Sequence, residues 1–150
     1  MGAKADKAKA LFLDGYNCAQ AVAGAFSDEM GMDFETAIKL SSSFGGGMGR
    51  LREVCGAVSG MFMVAGALYG YTDTSDNEAK AKHYELIQYL AKKFSDKNGY
   101  IVCRDLLGIA TKKDEPTPSE RTKEYYTRRP CAEYVYDAAL ILEEYINIAD

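Results

Sequence analysis

The sequence predicts an all-α fold: a single-domain bundle of five to eight helices with a buried glycine-rich central helix. Apolar residues recur mostly at helical spacing, strand-like alternation is scarce, and capping residues stand at several of the expected helix starts. The chain has 150 residues, 47% of them apolar and 27% charged, with only three Pro. That is enough apolar matter for one self-sufficient core and too much for disorder. No internal repeat or second domain is evident, so residues 1–150 read as one four-cysteine domain.

Taken in order, Ala3–Asp14 forms a first helix that breaks at Gly15. Asn17 caps a second from Cys18 to about Met30, with Gln20 completing a capping box. Asp33 opens a third that ends near Phe44, before the run Gly45-Gly46-Gly47-Met48-Gly49-Arg50. A fourth is expected from about Glu53 to Gly70. Ser75 and Glu78 suggest a capping box for a fifth, reaching about Ser95 with Tyr84, Ile87, Leu90, Ala91 and Phe94 on its apolar face, and Asn98-Gly99 closes it. A short turn of helix holds Cys103–Leu107, and Thr111–Pro118 reads as a polar linker. Thr117-Pro118-Ser119-Glu120 looks like a helix start, with Pro at the first position. After Pro130 a last helix turns Val135, Ala138, Ala139, Leu142, Tyr145 and Ile146 inward.

The fourth helix raises the membrane question, because Val54–Thr72 has no charged residue and spanning a bilayer takes roughly 20 apolar residues. Its Gly, Ala and Ser content leaves little bulk for insertion. Burial within the bundle is the better reading, with Gly56, Gly60, Gly66 and Gly70 letting neighbouring backbones approach, including those of a second copy in a homodimer. A net charge of −4 argues against nucleic-acid binding, which needs a concentrated basic footprint. No signal peptide is read at the N-terminus, so a reducing cytoplasm is expected.

Chemistry, on this inventory, runs through sulfur. His83 is the one His and reads as a surface residue beside Tyr84. No G-x-S-x-G elbow supports a hydrolase. The Tyr125-Tyr126 and Tyr134/Tyr136 rings read as half-buried anchors with wet hydroxyls. Cys18, Cys55, Cys103 and Cys131 form no C-x-x-C pair, so zinc-ribbon and thioredoxin motifs are absent. Each nevertheless falls near an expected helix start, where unpaired N–H groups favour a thiolate. Arg50 and Arg52 precede Cys55, Arg104 follows Cys103, and Arg128 and Arg129 precede Cys131. Such surroundings predict lowered thiol pKa values or compensation of an anionic metal–thiolate cluster. The bland alternative is four small hydrophobes in a core.

The glycine run is no P-loop, for it lacks G-x-x-x-x-G-K-[ST], and the segment before it reads as helix rather than strand. It is either a helix-to-helix turn or a bare loop (Gly45, Gly46, Gly47, Gly49 and Arg50) whose N–H groups approach a cofactor or a thiolate.

Cys55-Gly56-Ala57-Val58-Ser59-Gly60 matches C-G-A-x-x-G, with Cys18 upstream and Cys103 and Cys131 downstream. Together with Asn17-Cys18-Ala19-Gln20 and the Gly45–Gly49 loop, this resembles the four-cysteine redox-active family known as C_GCAxxG_C_C over essentially the whole chain. The resemblance implies a small bacterial or archaeal protein, often encoded near transporter genes, whose cysteines are functional. A related segment occurs in split-Soret cytochromes, where an iron–sulfur site has been suggested; this chain lacks their C-x-x-C-H, which argues against covalent haem.

Three readings follow. The first is thiol–disulfide redox, with Cys18 and Cys55 the preferred pair. The second is a zinc site or an iron–sulfur cluster held by all four thiolates. The third is a non-catalytic assembly module of a transporter-linked system. A homodimer, and a transporter-linked or electron-transfer protein, are the partners these readings allow. The first two readings require sulfurs distant in sequence to converge in space.

Overall fold

The computed structural model describes residues 2–108 and 114–149. Among them are eight helices of five residues or more: α1 (Ala3–Leu13), α2 (Cys18–Ala25), α3 (Phe34–Ser41), α4 (Gly56–Tyr69), α5 (Asn77–Asn98), α6 (Cys103–Leu107), α7 (Lys123–Arg128) and α8 (Cys131–Ala149). A 3-10 turn at Ser42–Phe44 and a tight turn at Gly45–Met48 follow α3. The all-α expectation holds. Among the described residues the one extended pairing is an isolated antiparallel bridge between Val54 and Val102.

Local chemistry accounts for most boundaries. The Asn17 side chain accepts from the Gln20 amide and the Gln20 side chain from the Asn17 amide, the expected capping box. Asp33 caps α3 through the Thr36 amide. The second helix, however, stops at Ala25 rather than Met30, because Phe26–Gly31 closes into turns with Gly31 at φ 71°. Asp76, not Ser75, caps α5 by accepting from the Ala79 amide, while Ser75 is held by the Asp73 carboxylate. That helix runs three residues past Ser95, and Gly99 stops it.

The largest departure lies before α7. Thr117–Glu120 is not helical; the helix begins at Lys123, capped by Thr122. Arg121 explains why. Its guanidinium donates to the carbonyls of Phe12 and Tyr16, which pins this stretch across the end of α1 in an irregular path. The first part of the polar linker expected at Thr111–Pro118 lies outside the described residues.

The core is formed by Phe12 of α1, Val22 of α2, Val58, Met61 and Val64 of α4, Leu90 and Phe94 of α5, and Val135 and Leu142 of α8, all fully buried. Helix α1 lies along α8 and α2, and α2 along α4. A carboxylate seals one seam: Glu143 of α8 accepts from the amides of Gly2, Lys4 and Ala5 at 2.9, 3.1 and 3.3 Å. It satisfies the otherwise unpaired donors at the start of α1, where an anion is favoured by the helix dipole. On α5 the buried face carries Leu86, Leu90 and Phe94, whereas Tyr84, expected inward, is exposed. Among the described residues no helix is long and apolar enough to cross a membrane.

Candidate functional site

Helix α4 is buried from Gly56 to Met61, and its start is where the cysteines gather. Cys18 is the first residue of α2, Cys55 the N-cap of α4, Cys103 the first residue of α6 and Cys131 the first residue of α8. Four helix starts therefore converge, and all four cysteines line a single cavity of about 390 Å³. Cys55 and Cys103 are buried, Cys18 and Cys131 half-buried, and all four are free thiols.

Two local devices bring them together. The Val54–Val102 bridge is flanked by hydrogen bonds from the Cys55 amide to the Ile101 carbonyl (2.8 Å) and from the Cys103 amide to the Glu53 carbonyl (2.5 Å). This short ladder aligns the starts of α4 and α6. The glycine turn is the second. Gly46, Gly47 and Gly49 sit at φ 69°, 70° and 60°, and Met48, Arg50 and Arg52 share that left-handed region at 68°, 67° and 59°. For the non-glycine residues this conformation costs roughly 1–3 kcal/mol each, and such strain gathers at functional sites. The contorted path lays Gly45 against Asn17 and Gly47 against the Cys103 Cβ and the Arg52 backbone, leaving no room for a side chain at either glycine. It also aims the Gly46 amide at the Cys18 sulfur. The bare-loop expectation is therefore met as geometry: the turn approaches a thiol. Gly56 completes the seat, since a Cβ there would strike the Cys18 sulfur and the Phe44 carbonyl.

The arginines are dealt out differently from their order along the chain. Arg52, next to Cys55 in sequence, donates to the Cys103 sulfur at 3.6 Å and to Asp114 at 2.9 Å. Arg104, next to Cys103, instead reaches the Arg52 carbonyl and Glu53. Arg50 binds the Glu115 carbonyl and the Ser119 hydroxyl and lies 3.5 Å from Asp114. Arg128 pairs with Glu124 on the surface, while Arg129 lines the cavity.

The expected lowering of thiol pKa is overturned at Cys18, Cys55 and Cys131. Burial pushes the Cys18 thiol up, with the neighbouring Cys103 adding to it, against the pull of the Gly46, Ala19 and Cys18 amides. Burial and Cys18 drive Cys55 well above its ordinary value, although the Ala57 and Val58 amides favour its thiolate. Burial, Cys18 and Cys103 push Cys131 up to about 12, against Arg129 and Arg52. Helix starts and guanidinium groups act in the expected direction but are outweighed. Desolvation of an anion and repulsion among neighbouring thiolates are the larger effects.

Comparison with family models gives a match over residues 16–145 to the family described as "Putative redox-active protein (C_GCAxxG_C_C)". This chain belongs to that family. The match takes in all four cysteines and the glycine turn. Curated proteins and solved structures give no match.

Sequence reasoning did not single out Phe12, Leu106 and Arg121, which line the cavity of this family member; Tyr125 and Tyr134, expected as half-buried anchors, line it too. Tyr134 donates to the Leu106 carbonyl at 3.2 Å, so its hydroxyl is tied to the site rather than simply wet. Nothing local marks Arg121, because Glu124 three residues on offers it an ordinary helix-surface partner, whereas in the fold it donates to Phe12 and Tyr16. His83 lies away from the site, with its ring 6.1 Å from that of Tyr71.

Proposed function

We propose that this member of the family is a dithiol–disulfide redox protein, with Cys18 the attacking thiol and Cys55 the thiol that resolves the mixed disulfide. The observation that carries this reading is the meeting of four helix-start cysteines on one cavity, with the Cys18 sulfur seated directly over Gly56, beside Cys55. Of the three thiols whose pKa is raised, Cys18 is half-buried and faced by three amides, which suits it to react first. The Cys18 thiolate attacks one sulfur of an acceptor disulfide and expels the other as a thiolate. The Cys55 thiolate then attacks the Cys18 sulfur, leaving a Cys18–Cys55 disulfide and two acceptor thiols. Two electrons pass from protein to acceptor, and the two protein thiol protons end on the released thiols. The reducing cytoplasm suits a protein that must return to its dithiol form, with an electron-transfer protein or a small thiol as donor.

The test is thiol counting on the unfolded protein before and after stoichiometric peroxide, with the disulfide located by peptide mass spectrometry. Loss of two thiols and a Cys18–Cys55 crosslinked peptide are expected. Four thiols that peroxide never pairs would end the reading.

A second reading, a cluster held by four thiolates, is favoured by Arg52 donating to the Cys103 sulfur, which would offset part of an anionic cluster's charge. Against it, no group of three or more His, Cys, Asp or Glu among the described residues is arranged to hold a metal ion. The thiols as they stand do not fit a metal centre. Anaerobic purification with visible absorption and metal analysis separates the two readings.

A further inference from the structure

The cavity is strongly cationic in an acidic protein. Among the described residues its lining carries Arg50, Arg52, Arg121 and Arg129 and no Asp or Glu, on a chain of net charge −4. Among the described residues one carboxylate reaches this set: Asp114, shared by Arg52 at 2.9 Å and Arg50 at 3.5 Å. Arg121 meets the backbone carbonyls of Phe12 and Tyr16 and lies 4.2 Å over the Phe12 ring. Arg129 lies 5.0 Å over the Tyr125 ring. Neither has a carboxylate partner among the described residues.

One donor is left over. Arg52 is 1% exposed, and its Nε is buried without a partner in a residue that lines the cavity. Closed off from the cavity, that N–H leaves Arg52 to act on an occupant through its charge. Around it the walls turn apolar, with Leu106, Leu107, Pro116 and Pro118 facing the same space. A space of about 390 Å³ with apolar walls and a few converging polar groups has the size and lining of a small-molecule site.

We infer that this cavity binds a small organic anion, a carboxylate with an apolar body, and that the acceptor in the redox step is a disulfide of that class. The anionic group sits among Arg52, Arg121 and Arg129, and the apolar body lies along the Leu106–Leu107 and Pro116–Pro118 walls. The inference rests on the dithiol reading for the identity of the reaction, but the anion site stands by itself. Exchange balances as before: one acceptor disulfide becomes two carboxylated thiols as the protein dithiol becomes a disulfide.

Two measurements on the reduced protein test it. In the first, stopped-flow exchange is followed with dithiobis(nitrobenzoate), a dianionic disulfide, and with the neutral 2,2′-dithiodipyridine, each normalised to a free model thiol. The expected preference for the dianion is about tenfold, the equivalent of about 1.4 kcal/mol, and it shrinks in high salt. In the second, equilibrium titration with benzoate and with neutral benzamide reads binding without thiol chemistry. Benzoate should bind and benzamide should not. Arg129→Gln should abolish both preferences and Arg129→Lys should retain most of them. Arg129 is the better probe because Arg121 also holds the chain against α1, and circular dichroism of each variant verifies the fold. Benzoate binding without any exchange would refute the dithiol reading and leave the anion site standing. Equal normalised rates for the two disulfides, together with no benzoate binding, would overturn the anion site and leave the dithiol reading intact.

Discussion

The two ends of α4 carry the same kind of small-residue spacing, yet they live in different surroundings. At the first end, a Cβ on Gly56 would lie 2.8 Å from the Phe44 carbonyl oxygen and one on Gly60 would lie 2.9 Å from the Ala19 carbonyl oxygen. Helix α2 presses against this face and sets Cys18 over the start of α4. At the other end, a Cβ on Gly66 would meet nothing within 4 Å, and Ala67 is exposed. The face of Gly56 and Gly60 that could have served a homodimer is already filled by the same chain. A glycine therefore marks close approach only where a partner backbone arrives. At Gly56 and Gly60 that approach is what builds the cysteine site.

Substitution at the crowded end should break this contrast most severely. Gly56→Ala drives a methyl group into a backbone carbonyl and the Cys18 sulfur at once, and overpacking of this kind costs about 1–3 kcal/mol or more. We expect the largest loss of urea resistance of any change discussed here, together with altered Cys18 alkylation kinetics; a variant as stable as the parent, with unchanged alkylation, would disprove the seat. Gly60→Ala should follow at about 1–3 kcal/mol, because the Ala19 backbone and the Val22 Cβ must both shift. Its alkylation kinetics should move less than those of Gly56→Ala, since no sulfur lies in the way.

Alkaline pH probes the same end without a mutation. The Cys18, Cys55 and Cys131 thiols are raised in the folded protein, so above the ordinary thiol pKa of about 8.5 the folded state holds protons that the unfolded chain releases. Their contribution to stability is complete below that point and is lost as pH rises towards about 12, the value of Cys131. Urea midpoints measured between pH 8 and pH 11 should fall, and fall less steeply in Cys131→Ser. A parallel decline in parent and variant would show that Cys131 is not the titrating group. The smallest effect belongs to the open end. Gly66→Ala should be neutral or stabilising by up to about 1 kcal/mol, the ordinary helix preference for Ala. A clear destabilisation there would mean that the end is not open.

Much of the fold was legible because it is written locally. Asn17 with Gln20, Asp33 and Gly99 mark helix ends through hydrogen bonds and backbone conformations available within a few residues. The placement of every cysteine at a helix start was legible for the same reason. The site was less so. Arg52 lies beside Cys55 in the chain but serves Cys103, a choice made by the left-handed turn at residues 46–52 and by the bridge to Val102. Thr117–Glu120 carries the local marks of a helix start, yet Arg121 reaches the end of α1 and overrides them. The Cys18, Cys55 and Cys131 thiols reversed direction because helix dipoles and neighbouring arginines can be read from sequence, whereas depth of burial cannot.

What the amino-acid order determined alone was the all-α class, the family pattern and the four helix-opening cysteines, since periodicity and capping act over a turn or two of chain. What only the folded arrangement decided was which helix starts meet, which arginine faces which sulfur and how dry that meeting place is. Those depend on contacts between residues as far apart as Cys18 and Cys131, and no local rule of backbone or side chain encodes that distance.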